Sequence, residues 1–329
     1  MRVLGRHTAI VPAQVMTVRG PVPAGSIGVS LPHEHTRCVL WHVPGRWDYW
    51  ELTGEDELIV PELVRFRDAG GSCVVDVTLP AIGRDPVRLR RLSEATGLHL
   101  VMGCGWYRDP YYEPTDDIDR RTVDDLADII VREFEDGAEG TGVRPGIIGE
   151  IGADKPWLTA REERVHRAAA RAAKRTGLAV TTHAVMSAVG LRQLRIFEEE
   201  GLDPARVVIG HADSFPDLDY LLEIVGRGAF VEFDFLGMSF TPQERHGEPR
   251  LVRLLLELLD RGHGARLLLS HDVCDNSQLS AYEGHGYTYL ATAFLPRLRD
   301  AGVPQATIDQ LTIENPRSVL AYDAALGPG

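Results

Sequence analysis

Short, continuous apolar runs recur along this chain at residues 28–32, 73–79, 99–105, 146–151, 179–183, 206–211, 229–235 and 266–272. They are rich in β-branched residues and mostly lack alternation. That is the pattern of strands covered on both faces, so it predicts parallel strands packed between a helical layer and an interior. Between the runs, apolar positions fall three and four apart. Thr159-Ala160-Arg161-Glu162 has the spacing of a capping box, Val165, Ala168, Ala169 and Ala172 follow at helical spacing, and Gly177 supplies a stop. Asp85-Pro86 opens another helix as cap and first-turn proline, while 122–134 and 251–259 repeat the helical period.

Eight strand-then-helix units are the number that closes a (β/α)8 TIM barrel, expected here as a single domain over 1–329 with a short amino-terminal strand extension. A doubly wound open sheet is the rival. It usually carries G-x-G-x-x-G between its first strand and helix, and that signature is absent. Stretches 111–115 and 239–248 read as barrel loops rather than linkers.

Lys and Arg number 35 against 48 Asp and Glu, a net charge of −13 with no basic block, so neither nucleic acid nor an anionic membrane is an expected partner. No run approaches the roughly 20 apolar residues of a membrane helix. Arg6, His7, Pro12, Gln14 and Arg19 interrupt the start before a signal-peptide core forms. Cys38, Cys73, Cys104 and Cys274 form no C-x-x-C pair, which fits reduced thiols in a cytoplasm better than disulfides or a cysteine zinc site.

The candidate chemistry lies at the strand ends. His33-Glu34-His35 follows the first run, Glu150 interrupts the fourth, and His183, His211 and Asp272 close the fifth, sixth and eighth. Alternation along a strand lets His33 and His35 point one way and reach one cation together. Burying such groups singly is costly, and a barrel carries its chemistry at the carboxyl ends of its strands. His33, His35, Glu150, His183, His211 and Asp272 are therefore expected to converge on a two-metal site. For Glu150 the alternative is a salt bridge to a nearby arginine. His99, His166 and His263 are taken as satisfied polar residues, and Lys155, beside Pro156, as loop surface. His271 should face away from Asp272 and orient a loop. Asp213 and Asp234 are candidates for a substrate contact, the pocket rim or a structural role.

The order and spacing of several motifs resemble the phosphotriesterase family of the amidohydrolase superfamily. They are Thr17-Val-Arg-Gly-Pro, Leu31-Pro-His-Glu-His, Val180-Thr-Thr-His, Val208-Ile-Gly-His, Leu269-Ser-His-Asp, Gly284-His-Gly-Tyr and Glu314-Asn-Pro. The resemblance implies that His33, His35 and Asp272 hold the more buried of two divalent ions, His183 and His211 the more exposed, and that Glu150 bridges them. The best-known members carry a carboxylated lysine at the bridging position. Glu150 departs from that pattern and resembles the phosphotriesterase homology protein branch, as does Trp106-Tyr107 followed by Asp109 and Glu113. A glutamate delivers its carboxylate on a shorter stem, so substrate range cannot be transferred from the lysine enzymes.

The expected activity is metal-dependent hydrolysis of a small ester, lactone or amide, by a metal-bridging hydroxide with Asp272 as proton acceptor. Zinc is the expected metal, with manganese, cobalt or iron as alternatives. Trp106, Tyr107 and Asp234 are candidate substrate contacts, and Phe235, Met238 and Phe240 candidates for an apolar pocket. Arg108 and Arg245 are read as solvated surface in preference to an anion contact. A phosphotriester hydrolase and a noncatalytic metal-containing binding protein are the competing functions. A small-molecule substrate is the expected partner, and related barrels are often homodimers.

Overall fold

In the computed structural model, which describes residues 13–46, 48–238 and 248–323, the eight runs form one parallel sheet. Its strands are β1 (Val29–Glu34), β2 (Gly71–Asp76), β3 (His99–Cys104), β4 (Ile147–Gly152), β5 (Val180–His183), β6 (Val207–Gly210), β7 (Phe230–Phe233) and β8 (Leu267–Leu269). Each pairs with the next in sequence, because a crossover helix returns the chain beside the strand it left. The ring closes between β8 and β1. There the Asp272 N–H donates to the His33 carbonyl at 3.3 Å and the His35 N–H to the Val273 carbonyl at 3.2 Å. Glu34 secures the seam by accepting from the His271 and Val273 N–H groups at 2.9 and 2.8 Å. The chain is a TIM barrel, as the strand count predicts.

The helix ends follow the sequence signals. Thr159 caps Ala160–Thr176 by accepting from Glu162 N–H at 3.1 Å, Glu162 answers by accepting from Thr159 N–H at 2.8 Å, and Gly177 ends the helix in the left-handed region. Asp85 accepts from Arg88 N–H at the start of Pro86–Thr96. An amino-terminal hairpin, Gln14–Thr17 with Gly20–Pro23, takes Ala321–Tyr322 as a third strand, which is the expected extension. The loop after β3 contains two short turns, Asp109–Tyr111 and Pro114–Asp116. Phe240 and Arg245 lie outside the described residues. Among those described, no helix is long and apolar enough to cross a membrane.

Candidate metal centre

The strands supply two layers of core. Cys73, Val75, Val101, Ile147, Ala179, Val208, Phe230 and Leu268 fill the barrel with Val15 and Ile27 from its base. Val74, Leu100, Ile148, Val180, Ile209 and Leu269 belong to the larger cluster under the helices. Period two carries His183 inward from Ala179, whereas Asp272 lies beyond the end of β8 with its backbone in the left-handed region at φ 52°. Counted from Ile147, the same rule would turn Glu150 outward. Instead β4 slips register against β5 between Ile148 and Ile151, and this bulge reverses the phase so that Glu150 faces in. The bulge needs Gly149, whose φ is +114° and where a Cβ would lie 2.1 Å from the Thr181 carbonyl oxygen. β1 slips likewise between Leu31 and Glu34, which turns His33 inward. His211 is re-aimed by its own backbone, at φ 54°.

All six expected ligand residues meet at this rim. His183 Nδ1 lies 2.8 Å from Glu150 Oε2, His211 Nε2 3.2 Å from the same oxygen, and His33 Nε2 3.6 Å from it. His35 Nε2 is 3.4 Å from Glu150 Oε1 and 3.2 Å from Asp272 Oδ1. Candidate ligand atoms of His33, His35 and Glu150 fall within 4.8 Å of one another, as do those of Glu150, His183 and His211.

The surroundings decide which nitrogen each ring presents. His211 Nδ1 is 2.9 Å from Asp234 Oδ1, and His33 Nδ1 is 3.1 Å from Glu232 Oε2 and 3.3 Å from Asp234 Oδ2. His35 Nδ1 is 2.8 Å from Thr78 Oγ1, whose own proton goes to the Arg37 carbonyl. In each case the partner keeps a proton on the outer nitrogen and leaves Nε2 as the position aimed at the cluster, the one a cation would take in place of a proton. His33 Nε2 is buried without a hydrogen-bond partner, and Asp272 Oδ1 is buried against His35 Nε2. Buried nitrogens and carboxylate oxygens aimed at one another call for shared positive charge, which protons or a cation can supply.

Proton affinities follow the same imbalance. Burial opposes charging of His211 and His35, yet Asp234 for the first and Asp272 with Glu150 for the second prevail, pushing them up to about 10 and about 9. Burial wins at His183, which falls to about 4 despite Glu150. The Glu150 carboxyl lies well below its ordinary range because His183, His211 and His33 overcome its burial. Carboxylates that draw protons onto neighbouring histidines mark a pocket in need of positive charge, which metal ions would supply by displacing those protons.

One open expectation is narrowed and one needs correction. Asp234, a candidate for a substrate contact, the pocket rim or a structural role, is fully buried behind His33 and His211 and bonded to both, the structural alternative, since alternation from Phe230 carries it into the barrel. Arg108, expected on the surface, is 8% exposed because Asp48 and the Tyr107 ring partner it. Trp106 is bound by the Asp116 carboxylate, whereas the Tyr107 hydroxyl reaches within 3.4 Å of His183 Nδ1. Phe235 stacks on His211 with ring centroids 4.7 Å apart. Lys155 is exposed, and His271 fixes a later segment by accepting the Leu290 N–H at 2.7 Å. Sequence reasoning missed Glu232 and Thr78. Glu232 carries the signal used for Glu150, an acid inside an apolar strand, while nothing local marks Thr78.

Comparison with known proteins identifies the family. The chain is 35% identical over 294 residues to the phosphotriesterase homology protein of Escherichia coli (strain K12), covering 88% of this chain and 96% of that protein. It is 31% identical over 345 residues to an N-acetyltaurine hydrolase of Tetraodon nigroviridis, covering 94% and 98%. The crystal structure of a resiniferatoxin-binding protein from Rhodobacter sphaeroides superposes with a TM-score of 0.86 at 35% identity, over 96% of each chain. Residues 13–320 match the Phosphotriesterase family, and the chain belongs to that family of metal-dependent hydrolases.

Proposed function

We propose that this chain is a two-metal hydrolase acting on a small amide, ester or lactone. The observation that carries the proposal is the convergence of three Nδ1-protonated histidines on Glu150 and Asp272, with His33 Nε2 left without a hydrogen-bond partner in the protein. His33, His35 and Asp272 would hold one ion, His183 and His211 the other, and Glu150 would serve both; the nitrogen and oxygen donors suit zinc, manganese, cobalt or iron. Such ions would supply Lewis acidity, making a water more acidic and polarising the scissile bond. Asp272 is the chain's own base: His35 keeps its carboxyl ionised against burial, so Oδ1 can take the proton of the attacking water. Phe235 gives the pocket an apolar wall against His211. The relatives named N-acetyltaurine hydrolase favour an amide among the candidate substrates.

The test is chelation followed by reconstitution with zinc, manganese or cobalt, with metal content and hydrolysis measured together. About two ions per chain and recovered cleavage of an amide, ester or lactone are expected. Stoichiometric metal without turnover on those substrates or on phosphotriesters would replace the enzyme with a metal-containing binding protein.

A further inference from the structure

A partly buried group of four charges, with Asp48 and Arg108 at its buried end, sits beside the metal centre. Arg46 lies 2.5 Å from both Asp48 and Asp154, and Arg108 lies 3.2 Å from Asp48 and 3.6 Å from Asp154. The group ties together the loops that follow β1, β3 and β4, and its two positive and two negative charges cancel. Desolvating such a group offsets most of its attraction, so its value is in geometry more than in stability.

Arg108 is the member that reaches the centre. Its guanidinium carbon lies 4.6 Å from the centroid of the Tyr107 ring and 5.0 Å from that of Tyr111, and the two rings are 5.3 Å apart. Tyr111 is itself fixed, donating to Asp48 at 3.0 Å. The Arg108 stem runs over Gly152, where a Cβ would lie 2.5 Å from Arg108 Cγ, and the Gly152 N–H donates to the Tyr107 carbonyl at 2.7 Å. Backbone and ring of Tyr107 are therefore both held. Its phenol meets His183 edge-on, with centroids 5.0 Å apart.

We propose that Arg108 is a positioning residue that locks the Tyr107 phenol over His183, so that the hydroxyl proton is presented to the oxygen of the bound substrate. This rests on the hydrolase proposal above. When His183 Nδ1 serves as a ligand, its lone pair no longer accepts from Tyr107, and the phenol donates into the pocket instead. The planar guanidinium matches the ring face and engages the carboxylates behind it, which an ammonium cannot do with one flat group.

The test combines 3-fluorotyrosine at position 107 with Arg108→Met and Arg108→Lys, the second retaining the charge balance should the first fail to fold. Fluorine NMR of the metal-free and metal-loaded protein should give one narrow resonance for the native chain and a broadened or doubled one in the variants. An unchanged resonance in the variants overturns the proposal, whether or not the protein turns over substrate. With an active preparation, Arg108→Met should lower kcat about 10- to 100-fold with KM and metal content nearly unchanged. Added to Tyr107→Phe, it should cost nothing further. Fully multiplicative losses in the double variant would mean that Arg108 does not act through Tyr107. A native chain that hydrolyses nothing would sink the hydrolase proposal and leave the fluorine result to decide the positioning role.

Discussion

Three histidines of the cluster are held from behind and one is not. His33, His35 and His211 are at most 2% exposed, and their outer nitrogens are engaged by Glu232 and Asp234, by Thr78, and by Asp234. His183 is 9% exposed and turns Nδ1 itself into the cluster, 2.8 Å from Glu150, 2.9 Å from His211 Nε2 and 3.4 Å from the Tyr107 hydroxyl. The held three have their tautomers decided by the fold before any cation arrives. His183 takes its state from whatever occupies the pocket, so the comparison separates a preorganised side of the centre from an adaptable one.

Removing the residue common to both sides should have the largest effect. Glu150→Ala is expected to empty both positions and lower hydrolysis on the order of a thousandfold or more, read by elemental analysis and steady-state rates. His183→Ala breaks only the adaptable side. It should keep about one ion per chain while losing about 100-fold in kcat, and full loss of both ions would show that the preorganised side does not stand alone. Asp234→Asn loosens two held histidines together, and metal affinity by competition with a chelator should fall about 10- to 100-fold.

Protons give a sharper contrast. In metal-free protein, His35 and His211 titrate up to about 9 and about 10, whereas His183 is held at about 4. The signs are opposite. Raised groups favour the folded state below roughly pH 6.5, and that contribution is lost as pH rises through their folded values; His183 costs nothing above 6.5 and destabilises as pH falls toward its own. Metal uptake at pH 7 should therefore release protons from the held side and none from His183, with release fading toward pH 10. Potentiometry in weakly buffered solution measures this directly. Thr78→Val should give the smallest effect, about a tenfold loss of metal affinity, because His35 keeps its two carboxylate neighbours.

The contrast also explains what could be read from the chain. His183 lies in phase with the apolar residues of its own strand, so plain alternation placed it correctly, whereas Asp272 follows a strand that ends at Leu269 and is aimed by a left-handed backbone. Glu150 was identified by its cost of burial, although alternation from Ile147 points it the wrong way. Gly149 hinted at an irregularity there, but a glycine in a strand does not say which way the phase will shift. Asp234 was left open and Arg108 was misjudged because polarity at a strand end looks the same whether a residue faces solvent or buttresses a buried ring. Only their partners, His33 and His211 in one case and Asp48 with Tyr107 in the other, tell them apart.

The sequence by itself determined the eightfold alternation, the helix caps and the identity of the donors, since these depend on local period, local hydrogen bonding and side-chain chemistry. Tertiary structure alone decided the phase reversals at Glu150 and His33, the turn of the His211 backbone and the buttressing by Glu232, Thr78 and Asp234. A bulge exists only relative to a paired strand, and a tautomer only relative to the group behind it; both partners come from elsewhere in the chain.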